Sequence, residues 1–119
     1  MSLEEERLRE IRNILLNHKG KQNAIPSSKI AKMLGIPEND TVATTRGLIT
    51  KLIKNTCLPI GSSENGYYIM ETEEELNEVI QDLNGRILGI YDRTNRLISN
   101  FNEYNGKTVK HMEPKDDDI

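Results

Sequence analysis

Between Leu76 and Phe101 the chain places apolar residues at an alternating spacing of 4 and 3: Leu76, Ile80, Leu83, Ile87, Ile90, Leu97 and Phe101, with Thr94 in the one polar slot. This is a heptad seam on a long helix. Val79, Tyr91 and Ile98 widen the stripe. Only 35% of the 119 residues are hydrophobic, so one small domain makes poor use of so long a seam. The economical expectation is pairing with a second copy, parallel or antiparallel, to give a homodimer. The competing expectation is a helix folded back on its own domain. Thr72-x-x-Glu75 is a capping box that opens this helix. The helix is expected to end near Asn100, unless Asn84-Gly85 breaks it in two and favours folding back. Gly85 and Gly89 lie off the seam. The C-terminal residues beyond the helix are polar and are expected to be disordered.

The first part of the chain reads as shorter elements. Residues 3–18 carry a helical stripe at Leu8, Ile11, Ile14 and Leu15, closed by Gly20. Ala24-Ile25-Pro26 is expected to be extended, since a residue before proline avoids the helical region. Ser27 is the expected N-cap of a short helix with Ile30, Ala31 and Leu34 inward and Gly35 as its stop. Asp40 or Thr41 is expected to cap a helix over residues 42–55. Leu58-Pro59-Ile60 and Tyr67-Tyr68-Ile69-Met70 read as strands, joined by a loop ending in Asn65-Gly66, a hairpin signal.

Composition excludes several functions. No apolar stretch approaches the ~20 residues that span a bilayer, so no membrane partner is expected. Cys57 is the one cysteine, which rules out an internal disulfide and a multi-cysteine zinc site. Its surroundings suggest buried packing. The acidic start Met1-Ser2-Leu3-Glu4-Glu5-Glu6 is unlike a secretory leader, and the expected location is the cytoplasm. His18 and His111 have no plausible Cys or Asp partner nearby, and no glycine-rich phosphate loop is present. No catalytic residue, metal site or cofactor is therefore expected, and the protein is not expected to be an enzyme. With four Tyr, one Phe and no Trp, stacking on single strands is also disfavoured.

Net charge is −3, but it is unevenly spread. Residues 19–54 hold seven bases against two acids. A base-rich module with an acidic appendage suits a nucleic-acid binder.

The order helix, short helix, turn, helix, hairpin is the frame for a more specific likeness. Ser28-Lys29-Ile30-Ala31-Lys32-Met33-Leu34-Gly35-Ile36, then Thr41-Val42 through Leu48-Ile49-x-x-Leu52, then Pro59-Ile60 through Asn65-Gly66-Tyr67-Tyr68-Ile69 carry it. Ala31 is small where a second helix crosses, Gly35 supplies a left-handed turn, and Ile36 plugs the corner. Over roughly residues 25–70 the chain resembles the winged helix-turn-helix superfamily, in the style of the biotin-operon repressor's N-terminal domain and of small bacterial and phage regulators. The turn Pro37 to Asp40 is longer than the shortest form of the motif. The implied fold is mainly α (α+β): a winged helix-turn-helix over residues 1–71 with a small β-hairpin wing, a long heptad-patterned helix over 72–101, and a tail over 102–119.

The resemblance implies double-stranded DNA as the partner and a helix over 42–55 that enters the major groove. At about 100° per residue, Val42, Thr45, Ile49, Leu52 and Ile53 face the core. Asp40, Ala43, Thr44, Gly47, Lys51 and Lys54 face away; Arg46 and Thr50 form one flank, Thr41 and Leu48 the other. Thr44 can meet a base edge or a thymine methyl, and Arg46 can pair with guanine or clamp phosphate. The other reading of Arg46 is a salt bridge within the domain. Lys51 and Lys54 suit phosphates. Gly47 either permits close approach or is a tolerated surface glycine. Ser27, Ser28 and Lys29 stand where a helix start can hold a phosphate. Ser62, Ser63 and Asn65 form a polar wing tip without Lys or Arg. The DNA-contact set is thus Ser27, Ser28, Lys29, Thr41, Thr44, Arg46, Gly47, Thr50, Lys51, Lys54, Ser62, Ser63 and Asn65. The pairing set is Leu76, Ile80, Leu83, Ile87, Ile90, Thr94, Leu97 and Phe101. The expected function is a dimeric regulator reading two half-sites about one helical turn apart. The alternative is a protein-interaction adaptor in a replication or transcription assembly.

Overall fold

The computed structural model describes residues 2–37 and 41–113. They are mainly helical, with one small antiparallel hairpin: α1 (Leu3–Leu15), α2 (Ser27–Met33), α3 (Thr41–Asn55), β1 (Ile60–Ser63), β2 (Gly66–Ile69) and α4 (Glu73–Asn105). The chain divides into two compact units, Met1–Val79 and Ile80–Ile119. No described helix is long and apolar enough to cross a membrane.

In the first unit, α1 starts where the Ser2 hydroxyl accepts from the Glu5 N–H at 3.1 Å. It ends at Leu15, sooner than the stripe suggested, because the main chain beyond it is bonded elsewhere. The His18 carbonyl accepts from Ile69 N–H at 2.9 Å, and Gly20 N–H donates to the Ile69 carbonyl at 2.9 Å. Ile25 and Tyr67 exchange both main-chain bonds at 2.8 Å. The segment before α2 therefore lies along the free edge of β2, as an isolated bridge at Ile25 and not a full strand. Ser27 is not the N-cap. Pro26 takes that place, and its carbonyl accepts from Lys29 and Ile30 at 3.1 and 3.2 Å. The pairing of Ile25 holds the chain extended as far as Pro26, so the helix begins one residue earlier.

The core is Ile11, Leu15, Ile25, Ile30, Leu48, Ile49, Leu52, Ile60 and Ile69, with Leu8, Ile14, Leu34, Leu58 and Tyr67 around it. Ala31 is fully buried, Ile36 is buried, and Gly35 has φ +70°, as a left-handed corner requires. α1 and α2 both pack on α3. That double contact turns its buried face toward Leu48, about 100° from Ile49 on the helical wheel. Leu48, expected on a flank, is thus buried, while Ile53, expected in the core, is 48% exposed. The expected cap Asp40 lies outside the described residues, as do the side chains of Thr41 and Val42.

The hairpin is tighter than expected. Strand pairing runs from Ile60↔Ile69 to Ser63↔Gly66, so Glu64 and Asn65 form the two-residue turn and Gly66 stands after it. Gly66 has φ +122°, and a Cβ there would lie 2.1 Å from the Ile25 carbonyl oxygen. The glycine is required by the passing chain as well as by the turn. Cys57 is exposed, correcting the expectation of buried packing. The Thr56 hydroxyl bonds back to the Leu52 carbonyl at 2.6 Å and accepts from Leu58 N–H at 3.3 Å. This local turn leaves Cys57 outside while Leu58 tucks in.

The capping box at α4 is reciprocal: Glu75 N–H donates to the Thr72 hydroxyl at 3.1 Å, and Thr72 N–H to the Glu75 carboxylate at 3.2 Å. That carboxylate also accepts from Glu71 N–H at 2.7 Å and Lys21 N–H at 2.6 Å. Helix α4 then runs unbroken through Gly85 and Gly89 to Asn105, five residues past the expected end.

In the second unit, the expected disordered tail is helical to Asn105 and then turns at Gly106, where φ is +61°. Residues 107–113 come back along the helix. Asn102 accepts from Val109 N–H and donates to its carbonyl, both at 2.9 Å. Asn95 does the same for Met112, at 2.7 and 2.8 Å. Two asparagine side chains thus satisfy main-chain groups that a disordered tail would leave to water. Residues 114–119 lie outside the described residues.

Candidate nucleic-acid interface

α2 and α3 pack together with Ile30, Ala31 and Ile49 buried, which fixes what each turns outward. With the buried arc centred near Thr45 and Leu52, the outermost positions of α3 are Gly47, Thr50 and Lys54. All three are exposed, as are Arg46 and Lys51 on either side. Thr44 is half-buried, at the edge of the face. No Cβ contact would arise at Gly47, so the face is open there. The Thr50 hydroxyl donates to the Arg46 carbonyl at 2.9 Å and keeps its acceptor lone pairs.

The lysines differ. Lys51 pairs with Glu4 of α1. Lys29, Lys32, Arg46 and Lys54 enter no ion pair among the described residues. Breaking an exposed pair such as Lys51–Glu4 costs little, on the order of 0–1 kcal/mol. Lys32 was not among the expected contacts. It is exposed one turn beyond Lys29 on the same side of α2, and the i, i+3 spacing was the signal for it. The Lys51–Glu4 pair joins positions 47 apart and had no sequence signal.

Ser27 is half-buried at the helix start beside Pro26, whereas Ser28 and Lys29 are exposed. α2 has seven residues and a proline cap, so what it offers an anion is the Lys29 charge and the serine hydroxyls, with little macrodipole. At the hairpin tip Ser62 and Asn65 are exposed, whereas Ser63 is half-buried and accepts from Asn65 N–H at 3.2 Å. Glu64 makes the tip acidic.

On α4, none of the 33 residues is buried. The seam residues Leu76, Ile80, Leu83, Ile87, Ile90, Leu97 and Phe101 are 43–65% exposed, and Thr94 is half-buried. Isolated helices are marginal in water, and most helical stability comes from packing an apolar face. Among the described residues no group of His, Cys, Asp or Glu is disposed to hold a metal ion.

Comparison with family models, curated proteins and solved structures finds no match to this chain.

Proposed function

We propose that the first unit is a winged helix-turn-helix module that binds double-stranded DNA, and that α4 joins two copies into a regulator of bacterial or phage type acting in the cytoplasm. The observation that carries this reading is the outward arc of α3. It presents Arg46, Gly47, Thr50 and Lys54 to solvent, with Lys29 and Lys32 exposed on the packed neighbour α2. In this reading α3 enters the major groove. Arg46 and Thr50 reach base edges, while Lys29, Lys32 and Lys54 hold phosphates. The hairpin, with Glu64 at its tip, lies beside the duplex without gripping it.

Fluorescence anisotropy of labelled duplexes over a range of salt tests the proposal. About three phosphate contacts per module correspond to a log–log salt slope of about −2.7. Arg46→Ala should weaken binding by about 10–100-fold, the worth of one bidentate base contact, with thermal stability unchanged. Absence of binding at low salt overturns the reading.

A second reading, a protein-docking module, is favoured by Ile53. It lies 48% exposed on α3, where a partner's apolar residue could cover it. The two readings separate on Ile53→Ser, which should leave DNA binding intact and abolish docking of a protein.

A further inference from the structure

The tail is clamped in register with the helix. Asn95 and Asn102 are seven residues apart, about 10.5 Å along an α-helix. Their partners Met112 and Val109 are three apart, about 10 Å in an extended strand. Each asparagine pairs with both the N–H and the carbonyl of its partner residue. Between them the Ser99 hydroxyl meets His111 Nε2 at 2.7 Å. The clamp reads main chain, so its effect is to set where the tail's side chains go. Val109 becomes one wall of an open apolar groove of about 440 Å³, whose other lining is Thr94, Leu97, Ile98 and Phe101. Three of those four are seam positions, and Val109 supplies apolar surface beside Thr94, the seam's polar slot.

We infer that this groove is the seat for α4 of a second copy running antiparallel, and that residues 107–113 are a built part of that interface. The inference rests on the pairing of two copies proposed above and adds its direction and its third component. Three observations favour it. In the antiparallel register Ile80 faces Leu97 of the second copy, Leu83 faces Thr94 and Val109, and Ile87 faces Ile90. A parallel pair would instead bury Thr94 against Thr94. The charge of α4 with its docked tail is also polarised. From Glu73 to Asp82 it carries Glu73, Glu74, Glu75, Glu78 and Asp82 with no base. From Arg86 onward, Arg86, Arg93, Arg96, Lys107 and Lys110 outnumber Asp92, Glu103 and Glu113 among the described residues. Antiparallel packing sets the acidic end against the basic end, and the two helix dipoles oppose; parallel packing sets like on like. Finally, the apolar seam residues from Ile80 to Phe101 are all exposed although the tail is docked beside them, so the groove is shaped and still open.

Disulfide trapping decides the direction. In a full-length Cys57→Ser background, Ile80→Cys and Leu97→Cys chains are oxidised separately and after mixing and refolding together. Both positions are exposed, so neither change disturbs the fold of one chain. Antiparallel pairing gives a cross-link only in the mixture, between position 80 and position 97. Cross-links in each separate sample overturn the direction while leaving the dimer. A monomer mass by sedimentation at every concentration, with no cross-link, overturns the dimer itself; binding of a single module to duplex, read by anisotropy, is unaffected by either result. The tail is tested by Val109→Asp and by Asn95→Ala with Asn102→Ala. Each should weaken self-association at least tenfold with helix content unchanged, and unaltered association removes the tail from the interface.

Discussion

Thr45 sits on the face of α3 that packs into the core. It is fully buried, and its hydroxyl has no hydrogen-bond partner among the described residues. An unsatisfied buried hydroxyl costs about 1–3 kcal/mol, and removing it while keeping the shape relieves that cost. Thr45→Val should therefore raise stability by about 1 kcal/mol and the thermal midpoint by several degrees; a lower midpoint would mean the hydroxyl is held. Gly66 is the opposite case. Alanine there would adopt φ +122° with its Cβ 2.1 Å from the Ile25 carbonyl. Gly66→Ala should cost at least about 2 kcal/mol, read from the urea midpoint. A glycine after Asn65 was legible in the sequence as a turn signal. Its second duty, letting the chain pass at Ile25, was not, because that contact joins residues 41 apart.

Elements set by local chemistry were legible; those set by tertiary contact were not. The Thr72–Glu75 capping box, the Gly35 corner and the existence of the hairpin depend on residues a few positions apart, and the sequence contains them. The true face of α3 depends on α1 and α2 packing on it together, so a helical wheel centred on Ile49 places Ile53 inside and Leu48 aside. The start of α4 also carries a pH dependence. Main-chain N–H groups of Glu71, Lys21 and Thr72 hold the Glu75 carboxyl below its ordinary value of 4.5. A lowered carboxyl stabilises the fold in full above about 4.5, and that contribution is lost as pH falls through the lower folded value. Helicity at 222 nm should fall as the pH drops below about 4.5, and less so in Glu75→Gln, which cannot titrate there. Equal acid loss in both proteins would place the transition elsewhere. Thr72→Ala should cost about 1 kcal/mol at neutral pH, the worth of an N-cap hydroxyl.

For the whole molecule, the proposed binding and the proposed pairing are separable, because they call on different surfaces: the outward arc of α3 and the seam of α4. In the proposed dimer, two modules joined through α4 would bind two half-sites with the second event intramolecular, at an effective concentration that can raise avidity by about 10²–10⁴-fold. Ile87→Lys with Ile90→Lys places two charges in the middle of the seam, at positions 47% and 65% exposed in the single chain. The fold of one chain should thus be unaffected and the pair broken. Sedimentation should show monomers. Affinity for a duplex carrying two half-sites should fall toward that for one half-site, and the steepness of binding with concentration should be lost. Arg46→Ala should do the reverse: the mass stays that of the pair, and affinity for one and two half-sites falls together. If the lysine variant were monomeric yet bound the two-site duplex as tightly as the parent, avidity would not be the reason for pairing, and the seam would serve some purpose other than DNA recognition.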